Sequence, residues 1–141
     1  MAIGCATTAP SIPRASPEEA ARFTFPLELP LEGLLHLEGN TAAAIQLAMD
    51  DFMPRGAPIP QGVRPDEECL YRQQSYNVTS APGPEGVVLV QFQQDDAACP
   101  PSPALSVEAV SGKPLLDVTT YAVDVRTMRI LSVGVRVRPR R

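Results

Sequence analysis

Phe23, Phe25, Leu27, Leu29 and Leu31 alternate with Thr24, Pro26, Glu28, Pro30 and Glu32. Five apolar residues at period two predict a strand with one buried face. Pro26 and Pro30 both fall on the polar side of the alternation and carry no N–H, which confines such a strand to a sheet edge. Gly33 permits a bend, and Leu35 and Leu37 continue the pattern. The period then changes. Ala42, Ile45, Ala48, Met49 and Phe52 recur at spacings of three and four, which predicts an amphipathic helix over 41–53. Asn40 or Thr41 is placed to cap it, and Ala42-Ala43-Ala44 raises its intrinsic helicity. Pro54 and Gly56 end it.

Four further strands are predicted, at about 68–78, 86–94, 117–125 and 129–138. Val88, Val90 and Phe92 face one way along the second, and Val87 and Leu89 the other, so that strand is expected to be interior. Ala81-Pro82-Gly83-Pro84-Glu85-Gly86 supplies the turn before it. Leu131, Val133, Val135 and Val137 alternate with polar or small residues and close a hairpin with the strand before them. Residues 54–66, with four prolines and two glycines, read as a loop. Residues 95–116 read as a long connection anchored by Leu105, Val107 and Val110. Residues 1–15 are rich in Ala, Thr, Pro and Ser and predict a tether. Ser16-Pro17-Glu18-Glu19 then reads as a capping box opening a short helix. The expected organisation is a tether, 1–15, followed by one domain, 16–141.

The chain has 141 residues, 44% of them hydrophobic, which suffices for one domain with its own core. Its sixteen prolines favour strands and stiff loops over a helical bundle. The net charge is −4 but uneven: residues 1–70 hold ten acids and four basic residues, whereas residues 71–141 hold six acids and eight basic residues. The basic excess gathers at Arg136, Arg138, Arg140 and Arg141, a cluster read as a partner-binding tail or as a solvated terminus. Without a broader basic face, nucleic acid is not an expected partner.

The residue inventory excludes much chemistry. One histidine, His36, rules out a multi-histidine metal site, and no G-x-S-x-G elbow, Walker A loop, GxGxxG or EF-hand loop is present. No catalytic residue, metal site or cofactor is expected. Asp50-Asp51, at the end of the predicted helix where the dipole disfavours negative charge, is read as a solvated face or as a carboxylate pair kept for use. Tyr71, Tyr76, Tyr121 and Asp124 are the candidate lining of a pocket between helix and sheet, with core-boundary tyrosines as the plainer alternative.

Ala2-Ile3-Gly4-Cys5 resembles the end of a bacterial lipobox, in which the cysteine becomes the lipidated first residue of the mature lipoprotein. The resemblance implies lipidation at Cys5, an upstream signal segment and an envelope location; an incidental Gly-Cys in a cytoplasmic protein is the alternative. A lipidated Cys5 leaves Cys69 and Cys99 as an even pair, whose disulfide would fit an oxidising compartment, against two reduced thiols otherwise.

The element order, one helix followed by antiparallel strands, resembles the cystatin-like and NTF2-like α+β folds, in which one main helix packs on a curved antiparallel sheet of four to five strands. Tyr121 to Leu131 is similar to the Y-x-V-D-x-x-T-G-x-I-L hairpin of small bacterial domains of that type and departs from it at Met128, where glycine is usual. The cystatin Gln-x-Val-x-Gly loop is not matched by Gln91-Phe92-Gln93 or Val133-Gly134. The expectation is a non-catalytic periplasmic or cell-surface lipoprotein domain, held to the membrane by its lipid alone. It would bind an envelope protein or other envelope polymer through an exposed strand edge or the arginine tail. The alternative is a small NTF2-like enzyme or ligand binder.

Overall fold

The computed structural model describes residues 12–100 and 118–136. Cys5, most of the expected tether, the anchors Leu105, Val107 and Val110, and Arg138, Arg140 and Arg141 lie outside the described residues. The chain divides into two units between His36 and Leu37, so the division falls inside the domain expected from residue 16 onward.

The first unit contains helix α1 (Pro17–Ala21), whose capping box forms as the sequence implies. The Ser16 hydroxyl accepts from the Glu19 backbone N–H at 3.2 Å, and the Glu19 carboxylate accepts from the Ser16 N–H at 3.2 Å. No residue of α1 is buried. The strand expected over Phe23–Leu31 and onward to Leu37 is not formed. The rings of Phe23 and Phe25 meet edge-to-face at 5.0 Å, but the backbone bends at Leu27, Glu28 and Leu31, and no described strand forms a ladder with the segment. Alternation sets where side chains point; a strand also needs a partner for its backbone, and two prolines already remove donors. A turn closes the segment, with the Leu34 N–H donating to the Leu31 carbonyl and Gly33 at φ 75°, a conformation suited to glycine.

The second unit has the α+β plan, with an open antiparallel sheet. Helix α2 (Gly39–Phe52) begins two residues before the expected start, with Glu38 at the cap: its carbonyl accepts the first helical bond from Ala42. The expected strand over 68–78 is instead two short 3₁₀ turns, Glu68–Tyr71 and Gln73–Ser75, before β1 (Tyr76–Pro82). The remaining strands, β2 (Val87–Gln94), β3 (Val118–Asp124) and β4 (Arg129–Arg136), fall where the alternation places them. Among the described residues the sheet runs β1-β2-β3-β4, so β2 is interior and β1 and β4 are its edges.

Helix α2 lies on one face of the sheet. Ala44 and Ala48, both fully buried, let its backbone approach closely. Phe52 stacks on Phe92 of β2 at 4.6 Å, while Tyr76 meets Phe52, and Tyr121 meets Phe92, edge-to-face at 5.0 and 5.7 Å. Leu70, Val90 and Val123 complete this core. Cys69 and Cys99 are joined as a disulfide with Cα atoms 5.6 Å apart, which pins the 3₁₀ turns to the end of β2.

Candidate functional site

The most exposed part of the sheet is β4, and its geometry begins at the turn that launches it. Asp124 ends β3 and accepts the backbone N–H groups of Arg126 at 2.9 Å and Thr127 at 3.4 Å. The Arg126 N–H holds the Asp124 carboxyl below the usual carboxylate range; desolvation opposes it, and the hydroxyl and N–H of Thr127 and the Arg126 guanidinium add to the lowering. Met128 closes the turn at φ 50°, which accounts for the glycine usual at this position in similar hairpins. The Arg126 guanidinium also reaches the Glu85 carbonyl at 3.0 Å, tying this turn to the β1–β2 turn.

The register with β3 assigns each β4 side chain a face. Val133 lies opposite Tyr121, and Val135 opposite Thr119, on the helix-covered side; Arg136 lies opposite Val118 and Arg129 opposite Asp124, on the other side. A bulge near Ala122 and Val123 leaves Leu131 between the two registers. Helix α2 covers β4 only in part, and Leu131, Val133 and Val135 remain 51%, 45% and 50% exposed. As an edge strand, β4 also turns every second backbone N–H and carbonyl away from β3.

On the face away from α2, an open depression of about 290 Å³ is lined by Gln91, Thr120, Gly134, Val135 and Arg136. The missing side chain of Gly134 creates it; a Cβ there would meet only the Thr120 carbonyl oxygen, at 4.0 Å. Gln91 donates from Nε2 to Thr120 Oγ1 at 3.1 Å. With an amide, a hydroxyl and a guanidinium, the surface can receive carbonyl or carboxylate oxygens. Its lining supplies no nucleophile paired with a base.

The four residues considered as a pocket lining stand in different settings. Tyr76 sits in the core and donates to the Leu70 carbonyl at 2.6 Å; burial, then the nearby Tyr71, raise its ionisation well above the ordinary tyrosine value. Tyr121 sits under α2 and donates to Asp51 Oδ2 at 2.8 Å; burial, then that hydrogen bond and the charge of Asp51, raise it likewise. Tyr71 is half-buried, its hydroxyl without a hydrogen-bond partner among the described residues. Asp124 serves its turn on the opposite side of the sheet from Tyr121. The stacked rings of Phe52 and Phe92 occupy the middle of the space between helix and sheet.

Asp50 and Asp51 divide their roles, since Asp50 accepts from Gln46 Nε2 at 3.2 Å while Asp51 takes the Tyr121 hydroxyl. His36 is exposed. No cluster of three or more His, Cys, Asp or Glu side chains suited to a metal occurs among the described residues. No helix among them is long and apolar enough to cross a membrane. Of the arginine tail, only Arg136 is described, at the rim of the depression. Sequence reasoning missed the depression itself, because its origin is a single glycine facing a neighbouring strand. No family model, curated protein or solved structure matches this chain.

Proposed function

We propose that the chain is a non-catalytic domain of a cell-envelope lipoprotein, anchored through Cys5, that holds another envelope macromolecule along the β4 edge. The observation that carries the binding role is β4 itself: an eight-residue edge strand with three exposed apolar side chains and an arginine at each end. Native sheets blunt their edges with short strands, prolines or inward-pointing charges, because an open edge recruits further strands. The Cys69–Cys99 disulfide supports an oxidising compartment. One helix across an antiparallel sheet supports membership of the cystatin-like and NTF2-like group.

Two measurements test this reading. Intact mass of the protein from native membranes should show a diacylglycerol and an acyl chain on Cys5, with Cys69 and Cys99 alkylating only after reduction. An unlipidated protein with three free thiols would overturn the location. Photo-crosslinkers at Val133 and Val135 should capture an envelope component that one at Thr79 of β1 does not. Equal capture at both edges, or none, would overturn the assignment of β4.

A further inference from the structure

We infer that the β4 edge accepts the Phe23–Glu32 segment of a second copy of this chain as a fifth strand. This deepens the proposed function and rests on its reading of β4 as the binding edge; the partner it names is another molecule of the same protein.

The segment carries a strand pattern in its sequence and pairs with no described strand. Phe23, Phe25, Leu27, Leu29 and Leu31 are all largely exposed; Phe25 and Leu31 retain 81% and 87% of their surface. Five large apolar side chains in ten residues, all in water, make an exposed stretch of the kind that marks an interaction site. The edge-to-face pair of Phe23 and Phe25 shows that the first residues already place alternate side chains on one side.

The prolines leave one edge of the segment free to pair. In a strand, residues of one parity turn N–H and carbonyl to one neighbour, and residues of the other parity to the opposite neighbour. Pro26 and Pro30 share the even parity. All the odd residues from Phe23 to Leu31 therefore keep their donors, and one edge of the segment can form a full ladder. The other edge lacks two donors and cannot propagate. The segment is built to add to a sheet and to end it. Face and edge have the same period, so one of the two strand directions puts the odd donors toward β4 and the odd side chains beside Val133 and Val135.

Charge selects the edge and the partner. With the apolar side chains continuing the Val133–Val135 stripe, Glu28 and Glu32 fall on the face that carries Arg129 and Arg136. The acids are roughly 13 Å apart along an extended chain and the arginines roughly 20 Å, so a register that keeps the faces matched sets one acid opposite an arginine and leaves the other about 7 Å along the strand from the second. Arginine side chains span that offset, as diagonal cross-strand pairs do. Pairing β4 with a second β4 would instead set Arg129 opposite Arg136, which like-charge repulsion disfavours. The other edge, β1, is Tyr-Asn-Val-Thr-Ser-Ala-Pro and offers no charge to the acids.

The test is sedimentation velocity on the full chain from about 1 μM to about 500 μM, a range that brackets weak strand-addition affinities. The wild type should associate with rising concentration. Two variants, Glu28→Lys/Glu32→Lys and Arg129→Glu/Arg136→Glu, should each lose about tenfold or more in affinity while keeping the wild-type near-ultraviolet signal of the tyrosines. Their mixture should associate again, because each carries the charge the other now lacks. Leu29→Pro should abolish association, whereas Thr24→Pro, on the even side, should not. A wild type monomeric throughout, a mixture that stays monomeric, or equal effects of the two proline variants would overturn the inference. A monomeric chain whose Val133 still crosslinks to another envelope component would remove self-association and leave the broader binding reading in place.

Discussion

The hydroxyl of Tyr121 donates to Asp51 Oδ2 at 2.8 Å and so fastens the last turn of α2 to the middle of β3. The acid sits where the helix dipole disfavours it, and the phenol is buried in an apolar core. Each offsets the other's cost. Tyr121→Phe leaves the carboxylate without this donor, and Asp51→Ala leaves the hydroxyl without this acceptor, so each single change should destabilise by about 1 kcal/mol or more. The double variant should lose less than the sum of the two. Urea titrations of the three variants measure this.

Tyr121 and a second buried tyrosine, Tyr76, give the protein an alkaline limit. Tyr76 and Tyr121 both ionise at higher pH folded than unfolded, chiefly because burial penalises the phenolate. A raised folded value means that stability is fully present below the unfolded tyrosine value, about 10, and falls as pH rises beyond it. Urea midpoints should therefore be flat from about pH 8 to 9.5 with respect to these groups and drop above pH 10. Tyr121→Phe should remove its share of that drop. An unchanged slope would show that Tyr121 ionises normally.

The disulfide should matter more than any one hydrogen bond. Cys69 and Cys99 are 30 residues apart in sequence, and closing such a loop restricts the unfolded chain by about 3–4 kcal/mol. Reduction, or Cys69→Ser/Cys99→Ser, should lower Tm by roughly 10 °C or more. The 3₁₀ turns hold few backbone bonds of their own, so hydrogen exchange should speed up first at Leu70–Ser75.

Periodicity made α2 and the strands β2, β3 and β4 legible: α2, β2 and β3 bury one side, and β4 keeps the alternation of its neighbour although its apolar side is half exposed. It misread two segments for different reasons. Residues 68–75 bury Leu70 and Ser75 through a disulfide-held loop, not a ladder, so the apolar content is right and the backbone is not extended. Residues 23–31 alternate as a strand does, but alternation carries no information about a partner. At the candidate site, the charge of Arg136 could be read from residue type, whereas the left-handed backbone at Met128 could not, since methionine rarely adopts it. The Tyr121–Asp51 bond, 70 residues apart, and the dent at Gly134 could not, since both depend on which strands become neighbours.

The core should respond as a unit. Phe52 and Phe92 stack at 4.6 Å, with tyrosine edges against both. Phe52→Ala and Phe92→Ala should each cost about 3–5 kcal/mol, and their combination less than the sum, since either truncation already loses the stack. Additive losses in chemical denaturation would mean that the rings act independently.

Gly86 and Arg126 define the end of the sheet opposite the disulfide. Gly86 has φ 75°, and a Cβ on it would lie 2.3 Å from Arg126 Nε. The Gly86 carbonyl accepts from the Val125 N–H at 3.0 Å, so the two hairpin turns are held together by backbone as well as by the guanidinium. Gly86→Ala therefore has two costs: about 1 kcal/mol of left-handed strain, and the displacement of Arg126 from the Glu85 carbonyl. The clash is with a flexible, exposed side chain, so Arg126→Ala should relieve the second cost and leave the first. The cycle of Gly86→Ala, Arg126→Ala and the double variant separates them. The double variant should be less destabilised than the sum of the singles, by an amount equal to the steric share. A strictly additive result would assign the whole effect of Gly86→Ala to backbone strain.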